Sequence, residues 1–164
     1  MEKVKIKLNG GIMPKKSDKG SAAYDLYAPN NVEMKYGRQV VDLGFATELP
    51  RGHAANIQAR SGFSVKGFEV TLVPRWVFVP FLSTHVSRVN ADIVLGLVDE
   101  SYRNNVGAII KSRFWSIFYR AYITKGTRIA QMRITKVPET ELIEVEELDM
   151  TNDRGGGYGH SGTK

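Results

Sequence analysis

"ADIVLGLVDESYRNNVGAIIKS", residues 91–112, sets two short apolar runs on either side of a polar stretch. The runs are rich in Ile and Val and too short for a stable helix, so the pattern reads as strand, turn, strand. Outward from it the same unit recurs. "KVKIKL" (3–8) alternates apolar and charged residues, the period of a half-buried strand. "RQVVDLGFATELP" (38–50) stops at the turn Pro50-Arg51-Gly52. "HAANIQA" (53–59), "FEVTLV" (68–73), "RWVFVPF" (75–81), "SIFYRAYI" (116–123), "RIAQMRI" (128–134) and "ELIEVEEL" (141–148) continue the series. Most are bounded by Gly, Pro, Asn or Asp. Only "SGFSVKG" (61–67) suits a short turn of helix. The expected fold is all-β, a barrel or jelly-roll-like arrangement with at most one short helix.

The 164 residues suffice for one domain with a real core. The apolar rhythm stops at Asp149-Met150, which divides the chain into a β domain, 1–148, and a glycine-rich arm, 149–164. There is no cysteine, which removes disulfides and thiol chemistry and fits a reducing compartment. The opening "MEKVKIKLNG" has no apolar h-region, and no apolar run reaches membrane-spanning length. No membrane association is expected, and the expected location is cytoplasmic. The net charge of +6 suggests an anionic partner. The cations are scattered and stand beside glycines instead of alternating with aromatics along one face. That layout suits small phosphate sites better than nucleic acid.

Five stretches combine small residues with a few polar groups: "GSAAYDLYAP" (20–29), "ARSG" (59–62), "GLVDESYRNNVGAII" (96–110), "KGTRIAQ" (125–131) and "RGGGYGHSG" (154–162). Each alone has a plain reading as a turn, cap or flexible end. In this order they resemble the five motifs of the trimeric dUTP pyrophosphatases (dUTPases), from about Lys15 to Gly162. The resemblance implies a distorted barrel of the β-clip type with a mobile C-terminal arm. It implies hydrolysis of dUTP to dUMP and pyrophosphate, with Mg²⁺ as cofactor, in homotrimers that share their active sites. Such activity keeps uracil out of DNA and supplies dUMP for thymidylate synthesis. For a phage or viral protein the location would be the host cytoplasm.

The resemblance also assigns roles. Asp99 would orient and activate the attacking water, and Tyr102 would pack under the deoxyribose and exclude a 2'-hydroxyl. Main-chain groups near Gly96 and Gly107 would read uracil, a pattern that leaves buried groups unpaired against cytosine. Arg60, Ser61 and Gly62 would hold phosphate, and Gln131 would meet the phosphate end or its metal-bound water. Asp25 would support the metal indirectly, through coordinated water. Arg128 is read as structural. In the arm, Arg154 would reach the γ-phosphate, Tyr158 would stack on uracil, and Gly159 and Ser161 would donate to phosphate. Two positions depart from the family pattern. Asn104 stands where glycine is usual and is expected to keep the turn by tolerating left-handed backbone. Ile93 stands where some relatives place a uracil-reading asparagine, so base recognition would rest on the backbone.

The spacer between "ARSG" and the third motif is longer than the family commonly has, and "VPRWVFVPFLSTHVSRVN" (73–90) reads as an insertion. It suits an extra hairpin packed on the domain or a docking surface for a protein partner. "RFWSIFYRAY" (113–122) is a second aromatic stretch that could pack against it. Two other functions fit the same fold. A dCTP deaminase, or a bifunctional deaminase-diphosphatase, would need a glutamate base, for which Glu100 and Glu69 are the nearest candidates. A nucleotide-sensing regulator would keep the site without turnover.

Overall fold

The computed structural model describes residues 2–76 and 81–153. In chain order the elements are β1 (Lys5–Leu8), β2 (Tyr24–Tyr27), β3 (Val32–Met34), β4 (Gly37–Glu48), β5 (His53–Gln58), α1 (Ser61–Lys66), β6 (Phe68–Pro74), β7 (His85–Val89), β8 (Ala91–Val94), β9 (Gly96–Val98), β10 (Asn105–Ser112), β11 (Tyr119–Ile123) and β12 (Arg128–Lys136). The all-β expectation stands, with one short helix. The strands form three four-stranded antiparallel sheets, ordered β1-β4-β10-β8, β3-β11-β6-β7 and β2-β12-β5-β9. No closed barrel forms among the described residues.

Period-two patterning explains the sheets. In β10 every second residue, Val106, Ala108, Ile110 and Ser112, is buried, and the residues between them are less so. In β4 the alternation gives way to an unbroken buried run, Leu43 to Thr47, where both faces are covered. Phe45, Phe68, Leu26, Leu43, Ile57, Ile110 and Ile129 meet in one core cluster with almost no solvent exposure. Among the described residues no helix is long and apolar enough to cross a membrane.

The helix α1 buries none of its own residues and is short because Gly67 stops it. Gly67 has φ +73°, and a Cβ there would lie 2.6 Å from the Val89 carbonyl oxygen. Only glycine accepts both constraints without strain. This contact seats the end of α1 against the end of β7.

The described part of 73–90 holds the end of β6 and all of β7, which folds back on β6 as a hairpin paired from Phe68↔Val89 to Leu72↔His85. Its outer end lies along residues 117–119. The Arg75 N–H donates to the Phe118 carbonyl at 2.8 Å, and Trp76 Nε1 donates to the Ile117 carbonyl at 3.3 Å. The two aromatic stretches therefore run side by side. Phe81, at 94% exposure, remains outside this packing. Phe78 lies outside the described residues.

Two expectations need correction. "ELIEVEEL" (141–148) forms no strand, and Leu142 is 98% and Leu148 76% exposed. A strand needs a partner, and no described strand of this chain lies beside it. Asn104 does not use left-handed backbone, since no non-glycine residue among those described has a positive φ.

Candidate active site

Asp25 lies in the middle of β2 and is only 2% exposed. Four side chains from three other segments converge on it. Ser17 Oγ donates to Oδ2 at 2.8 Å, and Arg128 Nη1 to the same oxygen at 3.3 Å. Gln131 Nε2 donates to Oδ1 at 3.2 Å, and Arg60 Nε sits 3.1 Å from Oδ1 as an ion pair. Strand register brings them together, because Gln131 of β12 is the direct partner of Asp25 on one side and of Gln58 on the other. Burial pushes the Asp25 carboxyl up, but the Ser17 and Gln131 hydrogen bonds, the Arg60 charge and the Arg128 hydrogen bond outweigh it. The group is held below the ordinary carboxylate range. Arg128, read from the sequence as structural, is thus bound to the central carboxylate, as is Ser17, which the sequence reading did not single out.

Arg60 also lies over the Phe63 ring, 5.4 Å from its centroid, and Phe63 stacks on buried Phe68 at 4.5 Å. This stack fixes the start of α1, where Ser61 and Gly62 are exposed. A cleft of about 350 Å³ opens here, lined in part by Arg60, Gly62 and Arg128. Three predicted phosphate contacts are therefore neighbours of the Asp25 cluster.

The loop from β9 to β10, which crosses from one sheet to another, carries the other half of the predicted chemistry. Asp99 directly follows β9 and is exposed, and no described side chain pairs with its carboxylate. The turn is closed by the Tyr102 N–H donating to the Asp99 carbonyl at 3.1 Å. Tyr102 is 39% exposed, and its hydroxyl donates to the Asn105 carbonyl at 2.9 Å, which pins the ring across the turn. Glu100 accepts from the Gly52 N–H at 2.6 Å and so anchors the loop to the β4–β5 turn. Gly96 in β9 pairs with Ile57 of β5, and Gly107 in β10 adjoins a register shift in the β10–β4 pairing. Ile93 is 8% exposed and belongs to the core.

One chain does not bring the halves together. β2 and β9 are opposite edges of the same sheet. Three strand spacings separate them by about 14 Å, and the register offset from Gln131 to Thr135, which continues toward Asp99, adds about 13 Å along the strands. A wider cleft of about 680 Å³ holds Asp99, Glu100 and His53 but none of the Asp25 cluster. His53 is buried there with Nε2 2.8 Å from Glu2, and His85 packs edge-on against Tyr119. Neither histidine adjoins Asp25.

The dUTPase family model matches residues 9–78 and 84–162. This chain belongs to the dUTPase family. It is 30% identical over 157 residues to the deoxyuridine 5'-triphosphate nucleotidohydrolase of vaccinia virus (strain Copenhagen), covering 95% of this chain and 89% of the relative. The dUTPase of Staphylococcus bacteriophage 80alpha with dUpNHpp superposes with a TM-score of 0.74 at 24% identity over 99% of both chains. The dUTPase of phage phi11 of S. aureus, described for the coordination of a structural Mg(II) ion, superposes at 0.69 and 22% identity over 89% of this chain and 98% of its own. The dUTPase family match breaks at 79–83, inside the β6–β7 hairpin. Arg154, Tyr158, Gly159 and Ser161 lie within the family match but outside the described residues.

Proposed function

We propose that this dUTPase-family chain hydrolyses dUTP to dUMP and pyrophosphate, by attack of an Asp99-activated water on the α-phosphate. Exposed in the β9–β10 loop with no described side chain paired to it, the Asp99 carboxylate is able to accept a water proton. Tyr102, pinned by its hydroxyl, offers a ring face for the deoxyribose. Arg60, Ser61, Gly62 and Gln131 take the phosphates. The observation that carries this reading is the Asp25 cluster, which fixes Arg60 and Gln131 beside α1 before any ligand arrives. Main-chain groups around Gly96 and Gly107 read uracil, since Ile93 is core.

Magnesium fits this donor set as an outer partner. Among the described residues no group of three or more His, Asp or Glu could cage a cation, so the triphosphate oxygens and the ion's own waters would hold it. Asp25 and Gln131 would meet those waters. Gln131 gives its amide N–H to Asp25, which leaves Oε1 as an acceptor. When bound, the ion would offset phosphate charge.

The two half-sites support a homotrimer with shared sites, in which the β9–β10 loop of one copy meets the Asp25 cluster of another. The exposed apolar side chains Leu142, Ile143 and Leu148 support the same assembly, because no described residue of their own chain covers them. Deaminase chemistry is disfavoured: Glu100 is engaged by Gly52, and Glu69 is exposed beside Arg88. The deciding assay supplies dUTP, dCTP and dTTP with Mg²⁺ and follows pyrophosphate and ammonia. Pyrophosphate from dUTP alone is expected. Ammonia from dCTP, or dUTP binding with no product, would reject the proposal.

A further inference from the structure

The phosphate cleft has a second wall. Besides Arg60, Gly62 and Arg128 it is lined by Lys66, the last residue of α1, and by Arg88 of β7, with Glu69 as its one carboxylate. The charges do not cancel. Arg60 and Arg128 each turn one nitrogen to Asp25, and no described acidic group pairs with Lys66. Arg88 meets Glu69 only at 3.9 Å, with side chains 52% and 61% exposed. A solvent-exposed pair of that length contributes little and is readily exchanged for a better anion. The Gly67–Val89 contact brings Lys66 and Arg88 to the same place, since it joins the residue after one to the residue after the other. Arg88 reaches the cleft on the β6–β7 hairpin, the segment in which the family match breaks.

We infer that Lys66 and Arg88 bind the terminal phosphates of the nucleoside triphosphate, making the β6–β7 hairpin a part of the substrate site. The inference rests on the dUTP reading for its substrate and on charge alone for its ligand class. Arg88 breaks its loose contact with Glu69 to form a charge-assisted hydrogen bond with phosphate, and Lys66 adds a point charge.

The test compares the wild-type protein with Arg88→Ala and Lys66→Ala, each checked for an unchanged melting temperature. Three probes are titrated: a non-hydrolysable dUTP analogue, pyrophosphate and dUMP. Loss of either cation is expected to weaken the analogue and pyrophosphate about tenfold and leave dUMP unchanged. KM for dUTP should rise more than kcat falls, and Arg88→Lys should restore part of the loss. Unchanged binding of analogue and pyrophosphate in both variants would overturn the inference. So would an equal loss for dUMP, which lacks the terminal phosphates. A wild-type protein that binds pyrophosphate but not the dUTP analogue would instead overturn the substrate reading and leave the cationic wall standing.

Discussion

Gln131 of β12 donates its amide to Asp25 of β2 at 3.2 Å, and the two residues are direct partners in the strand register. A residue expected at the phosphates is therefore held by one expected at the metal. The same carboxylate holds Arg60 and Arg128. The cluster is consequently a piece of the fold as well as a piece of the site, and the two roles can be separated by measurement.

Asp25→Asn should lower stability by about 1–3 kcal/mol, because Arg60 and Arg128 lose the charge they share. The pH dependence has a definite sign. The folded-state pKa of Asp25 is depressed, so its stabilisation is present above the unfolded value and is lost as pH falls through the folded one. Melting temperature should drop on acidification below about pH 4, near the usual carboxylate value. In the variant that part of the drop should vanish. Parallel acid profiles for the two proteins would remove the cluster from the stability account.

Asp99→Asn should leave the fold and dUTP binding intact, because the side chain supports no described contact. Turnover should fall at least about a hundredfold, the lower bound for removing a general base. Single-turnover kinetics with dUTP would check this. A variant within a few-fold of wild type would take the base assignment away from Asp99.

Gly67→Ala places a Cβ against the Val89 carbonyl in backbone that L residues rarely adopt. The expected cost is about 1–3 kcal/mol, read as a lower urea midpoint at unchanged m-value. Because the strained contact joins α1 to β7, KM for dUTP should rise as well. A variant as stable as the parent would show that the contact relaxes freely.

Ending the chain after Asp153 should leave a folded protein that still binds dUTP, because the core cluster and the Asp25 network are built from residues before it. Hydrolysis should slow about tenfold or more if Tyr158 contributes a ring stacked on uracil. Full activity in the truncated protein would make those residues dispensable.

Much of the fold was legible because strand periodicity is local. β1, β5 and β11 lie within the stretches read as strands, and β4, β6, β10 and β12 overrun theirs by one or two residues. The missed strands are those whose composition hides them. β2 places a charged Asp25 where an apolar residue would mark a strand, and β7 ("HVSRV") is mostly polar and lies on a sheet edge. "ELIEVEEL" shows the converse: it has the composition of a strand but no partner among the described residues. In the site, residue types at motif spacing pointed to Asp25, Arg60 and Gln131, which the structure brings together. The roles of Arg128 and Ser17 were hidden, because their contacts with Asp25 depend on register between distant segments. Lys66 and Arg88 carried no motif at all, and their proximity comes from one glycine.

The placement of Asp25 and Asp99 on opposite edges of one sheet has a genetic corollary. Under the proposed assembly, a chain damaged at one edge still offers a sound half-site to its neighbours. Two alleles that are each silent, one lacking Asp99 and one lacking Asp25's network, would rescue one another in mixed oligomers. Activity would then belong to the population of chains, and a single defective allele could act on the products of a healthy one.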